Sequence, residues 1–97
     1  MSTPEPPADG APRLALLQFP TDYPIKVVGR TSDTLRDRID AIFRIHVPDF
    51  DPSLTTERLS GNGNFQSISY IIRAVSPAQV TALATDLKAA PDVMIVI

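Results

Sequence analysis

From Phe65 to Ala74 apolar and polar positions alternate, so that Ile68, Tyr70, Ile72 and Ala74 share one side. A period of two is the signature of a half-buried strand. Just ahead, the run Ser60-Gly61-Asn62-Gly63-Asn64 predicts a tight hairpin, since Asn62 and Gly63 both tolerate positive φ. A strand must precede that turn. Leu54 to Leu59, short and mixed in polarity, reads as that strand and as a sheet edge. Earlier, Tyr23, Ile25 and Val27 alternate with Pro24, Lys26 and Val28, predicting a first strand over Tyr23–Gly29. Pro24 suits only a position whose missing N–H needs no ladder partner.

Two stretches change period. After Gly29, Ser32 or Asp33 is expected to cap a helix running to about His46. Leu35, Ile39, Ile42, Phe43 and His46 form its apolar stripe. Arg36, Asp40 and Arg44 alternate in sign at four-residue steps and read as a solvated row. Pro48 ends this helix, because proline disfavours helical geometry in the residue before it. Ser76-Pro77-Ala78-Gln79 is a capping box with proline at the first helical position. Val80, Leu83, Ala84 and Leu87 supply the buried stripe of this second helix, and Pro91 stops it. Val93–Ile97, apolar throughout, is the last strand. The order β-α-β-β-α-β, with right-handed crossovers, predicts an α+β fold. It is the ferredoxin-like plait, a four-stranded antiparallel sheet with both helices on one face.

Composition narrows the function classes. At 97 residues the chain is one domain, expected over 19–97, behind a proline-rich disordered tail over 1–18 that holds Pro4, Pro6, Pro7 and Pro12. Leu14 to Phe19 is expected to dock a short turn or helix on the domain. A net charge of −2 argues against nucleic acid as the partner. No cysteine is present, which excludes disulfides, thiolate metal sites and cysteine catalysis. Leu14–Leu17 is too short for a signal core, and the expected setting is cytoplasmic and off the membrane.

Candidate chemistry is sparse. In Gly29-Arg30-Thr31-Ser32, helix N-terminal N–H groups, a glycine and Arg30 would together suit a small anionic ligand such as a carboxylate. A glycine-opened loop before an ordinary helix cap accounts for the same residues. His46 with Asp49 and Asp51 has metal-ligand or acid/base residue types, yet a zinc site wants three or four ligands. The plainer account has His46 closing the helix stripe and both aspartates making Asx turns around the prolines. The Ser60–Asn64 turn could cradle an anion, though hairpin geometry alone requires the same residues. No nucleophilic constellation is visible, so neither catalytic residues nor a cofactor or metal are assigned. The sheet face turned away from the helices carries the sharper signal. Alternation puts Lys26, Val28, Phe65, Ile71, Met94 and Val96 there, a partly apolar surface for a protein partner, most simply a two-fold dimer. Phe65 is its sole aromatic, too few for the stacking platform of an RNA binder.

From Phe19 to Ile97 the chain resembles the YbeD-like family of small bacterial proteins of unassigned function. The resemblance rests on Phe19-Pro20, Tyr23-Pro24-Ile25-Lys26-Val27-Val28-Gly29, His46-Val47-Pro48, Ser60-Gly61-Asn62-Gly63-Asn64-Phe65-Gln66-Ser67 and the Val93–Ile97 ending. It implies a ferredoxin-like domain similar to ACT-type regulatory domains, in which small ligands sit at the loop corresponding to Gly29–Ser32. The family brings no agreed catalytic residues. The function expected is therefore a non-enzymatic regulatory or adaptor domain. The alternative is a small metal- or acid/base-dependent enzyme using His46, Asp49 and Asp51.

Overall fold

The alternating run Phe65–Ala74 is a ten-residue strand whose even positions from Gln66 are buried, nearly to the letter of its pattern. The computed structural model describes residues 17–97. Strand β1 spans Thr21–Arg30, helix α1 Leu35–His46, strand β2 Thr56–Leu59, β3 Phe65–Ala74, helix α2 Pro77–Ala89 and β4 Val93–Val96. A single 3-10 turn, Pro52–Leu54, precedes β2. The sheet order is β2-β3-β1-β4, antiparallel throughout, and the helices pack on one face. The expected plait is therefore the fold. The tail expected over 1–18 lies almost wholly outside the described residues. Of the docking segment, Phe19 packs against the core.

β1 is longer than its alternation suggests, because Thr21 and Asp22 pair with Ala74 and Arg73 of β3. Pro24 is accommodated at mid-strand. Lys26 exchanges both backbone hydrogen bonds with Ile97 on the β4 side, so the Pro24 nitrogen points the same way, past that ladder. Gly29 is needed for close approach: an added Cβ would lie 2.7 Å from the Asp92 carbonyl oxygen and 3.1 Å from Leu35 Cδ2. The turn into β3 is a five-residue loop in which Gly63 alone takes positive φ, at 76°. Asn62 Oδ1 there accepts from Ser60 Oγ and Asn64 N, an Asx turn.

Both helices carry the stripes their spacing predicts. Leu35, Ile39 and Phe43 of α1 and Val80, Leu83 and Leu87 of α2 are buried against Ile25, Val27, Ile68, Tyr70 and Ile72. Phe43 stacks on Tyr70 with ring centroids 3.9 Å apart. The α2 cap forms as expected, Gln79 N donating to Ser76 Oγ at 3.1 Å. The Gln79 side chain does more than close the box. It accepts from Val75 N and donates to the His46 carbonyl at 2.9 Å, tying α2 to the end of α1. The α1 cap is one residue later than expected, at Thr34, whose N–H donates to Ser32 Oγ.

The row Arg36, Asp40, Arg44 is not a solvated face. Asp40 is 6% exposed, turned inward beside Phe43 rather than out to water. Its carboxylate accepts from the Tyr70 hydroxyl at 2.7 Å and from Arg36 Nε at 2.9 Å. Arg36 continues to Glu57 on β2 and to the Pro52 carbonyl, and Gln66 Nε2 donates to Glu57 Oε2. A buried charge is tolerable when paired and fully hydrogen-bonded, which the i, i+4 charge pattern cannot announce.

Burial and the adjacent Asp40 carboxylate push the Tyr70 phenol far above its ordinary 10.0. A folded-state value above the unfolded one keeps the proton on in the native chain. Its stabilisation is thus full below pH 10 and falls as pH rises beyond that. Tyr70→Phe should lower stability at neutral pH by about 1–2 kcal/mol and flatten its alkaline decline, read by urea unfolding across pH. Tyr23, raised by burial, leaves a residual slope.

Candidate functional site

The helix-bearing side of the sheet is a closed core. Side chains of His46, Asp49 and Asp51 do not converge there. His46 Nε2 meets Asp86 Oδ2 of α2 at 2.6 Å, and Asp51 accepts from Ser53 N and Ser53 Oγ at 3.0 and 2.7 Å. Those Ser53 bonds hold the Asp51 carboxyl below its usual range. Among the described residues no group of three or more potential metal ligands forms. The helix stripe draws His46 toward α2, while the prolines at 48 and 52 commit Asp51 to capping the 3-10 turn.

The Gly29–Ser32 loop is largely satisfied by its own chain. Arg30 N donates to the Asp92 carbonyl and Thr31 N to the Asn64 carbonyl, at 2.9 and 3.0 Å. The space beside Gly29 is taken by Asp92 and Leu35. Close approach at this glycine thus serves strand packing in the free chain. Ser32 Oγ faces Thr34, and the Arg30 and Thr31 side chains remain exposed.

Among the described residues the opposite face of the sheet bears no helix. Strand registers place Asp22, Pro24, Lys26, Val28 and Arg30 of β1 there, with Phe65, Ser67, Ser69, Ile71 and Arg73 of β3. Thr56 and Arg58 of β2 join them opposite Ser69 and Ser67. β4 departs from strict alternation. Val28 faces Ile95 while Gly29 faces Val93, leaving Met94 as an extra residue in a bulge. Val93 and Val96, three apart, therefore both pack against the core. The expectation that Val96 lies on the open face is overturned; Ile95 and Ile97, opposite Val28 and Lys26, lie there instead. Met94 is exposed, at 52%.

Two halves result. Toward β4 the face is apolar: Ile95 and Ile97 are 50% and 71% exposed beside half-buried Val28, while Ile71, 49% exposed, stands apart on β3 opposite Pro24. Toward β2 it is polar, and Lys26, Thr56, Glu57, Arg58, Ser67 and Ser69 line a cavity of about 260 Å³ floored by the short β3 serines. Charge is unequally shared. Asp22, bonded to Arg73 at 3.3 Å, is the one acidic side chain that the strand registers place on this face among the described residues, against Lys26, Arg30, Arg58 and Arg73. Alternation finds the β1 and β3 members of this surface. A bulge, which has no sequence signature here, hides Ile95 and Ile97.

This is the architecture of a ferredoxin-like fold, shared with solved ACT domains. The ACT domain of GTP pyrophosphokinase from Chlorobium tepidum superposes with a TM-score of 0.56 at 21% identity, covering 79% of this chain and 97% of that one. Protein HP0495 from H. pylori gives a TM-score of 0.67 at 12% identity, over 98% of both chains. The family follows from sequence: residues 15–97 match the model "Protein of unknown function (DUF493)", and the chain belongs to that family. Relatives include UPF0250 proteins of Ectopseudomonas mendocina, 38% identical over 84% of this chain and 89% of that one, and of Shewanella woodyi, 41% identical over 76% and 82%. The YbeD-like resemblance is thereby confirmed. No helix among the described residues is long and apolar enough to cross a membrane.

Val96 and Ile95 of β4 provide a direct check of the face assignment. Val96→Glu should cost about 1–3 kcal/mol by placing a carboxylate against the core. Ile95→Glu, on the open face, should stay within about 0.5 kcal/mol of wild type by thermal or urea unfolding.

Proposed function

We propose that this chain is a non-enzymatic regulatory or adaptor domain, acting in the cytoplasm by docking a protein partner on its helix-free sheet face. The observation that carries this reading is the apolar half of that face, where Ile95 and Ile97 are half exposed or more beside Val28. Covering each of these side chains contributes on the order of 1 kcal/mol, and together they make a core for an interface. The surrounding Lys26, Arg30, Arg58 and Arg73 favour a partner with carboxylates at its rim. A second copy brings the same cations to the interface, so like charges oppose the two-fold dimer that alternation first suggests. Nucleic acid is disfavoured as well, because Phe65 is the one aromatic the registers place on this face.

The test is capture by the tagged chain from lysate of its own source, followed by purification of the retained protein and titration of the pair. Direct binding should weaken by roughly tenfold or more in Ile95→Glu and also with rising salt, as rim charges are screened. Binding that is unchanged in Ile95→Glu, or no retained protein at all, would overturn the proposal.

A further inference from the structure

We propose that the polar half of the open face is a binding site for a small dianionic oxyanion, a phosphate ester or a dicarboxylate. The site is the 260 Å³ cavity between β2 and β1. Its floor is Ser67 and Ser69 of β3, and its walls are Arg58 and Thr56 on one side and Lys26 on the other. Strand spacing sets Lys26 and Arg58 about 12 Å apart on the diagonal between their Cα atoms. Both side chains are long enough to converge above the serines. The hydroxyls of Thr56, Ser67 and Ser69 stand beneath that meeting point as donors.

Three observations specify an anion. First, neither Lys26 nor Arg58 has an ion-pair or side-chain hydrogen-bond partner among the described residues, whereas Arg36, Arg38 and Arg73 each have a carboxylate. Second, the one carboxylate residue at the cavity, Glu57, is committed elsewhere: its oxygens bond Arg36 and Gln66 on the helix side of the sheet. Third, every other lining residue is a cation or a hydroxyl. Guanidinium matches a carboxylate or phosphate edge with two parallel bonds, and an ammonium adds a point charge at the second oxygen pair. Two cations across one cavity match two negative charges. The site lies beside the apolar docking half and shares Lys26 and Arg58 with its charged rim. It is also distinct from the Gly29–Ser32 loop, where the Arg30 and Thr31 N–H groups are already bonded within the chain.

The experiment titrates the full-length, 15N-labelled chain with inorganic phosphate and, separately, with malonate, using sodium chloride at matched ionic strength as the control. Saturable amide shifts are expected at Lys26, Thr56, Arg58, Ser67 and Ser69. They should weaken by about tenfold or more in the Lys26→Gln/Arg58→Gln variant, where charge and the fork geometry are lost. Both residues are exposed, and an unchanged spectrum elsewhere verifies the fold. Ser69→Val, which fills the floor and removes a hydroxyl, is a second variant expected to weaken binding. Whichever probe saturates at lower concentration names the oxyanion. Shifts that chloride reproduces, that persist in both variants, or that centre on Gly29–Ser32 would overturn the proposal. Because the isolated chain is titrated, this result stands apart from the partner test.

Discussion

A carboxylate withdrawn from water must be met by donors, and Asp40 is met by two. The Tyr70 hydroxyl reaches it from β3, and Arg36 reaches it from one turn earlier on α1. This buried bond fixes how α1 lies on the sheet, because Tyr70 also stacks on Phe43 of the same helix. Arg36 then carries the link outward to Glu57, so a four-residue edge strand with no buried residue is tethered to the helix layer. β2 has little apolar area with which to hold its place. Its position depends on the β3 ladder and on this chain of charges.

The same chemistry determines what remains outside. Asp40, Glu57, Asp86 and Asp92 are bonded on the helix side or at the turn before β4, to Arg36, Gln66, His46 and Arg38. The open face keeps cations with few partners, over a floor of serines in one half and isoleucines in the other. A chain of net charge −2 thereby acquires a positive face. Fold and surface chemistry have one origin in this protein, the sorting of acidic side chains toward the helices.

Periodicity makes much of this legible. β3 can be read from Phe65 to Ala74 because every inward position is apolar except Gln66, and α2 from its Ser76-Pro77 start. Three features escape for physical reasons. Asp40 sits in a charge row that reads as solvated, since partners from β3 lie 30 residues away in sequence. His46 pairs with Asp86, 40 residues on, rather than with the nearby Asp49 or Asp51. In β4 the bulge at Met94 reverses the face of every following residue, so Val96 turns inward and Ile95 outward. A one-residue irregularity is decisive in a strand of four. The candidate surface was thus half visible: Lys26, Val28, Phe65 and Ile71 from alternation, Arg58, Ile95 and Ile97 only from register.

If a different molecule completes the helix-free face, that face stays uncovered in the free chain. Sedimentation equilibrium of the purified chain, over a range of protein and salt concentrations, tests it most directly. A single species at the chain mass of 10.5 kDa is expected throughout. A species of twice that mass, abolished by Ile95→Glu, would mean that a second copy covers the face and would contradict it.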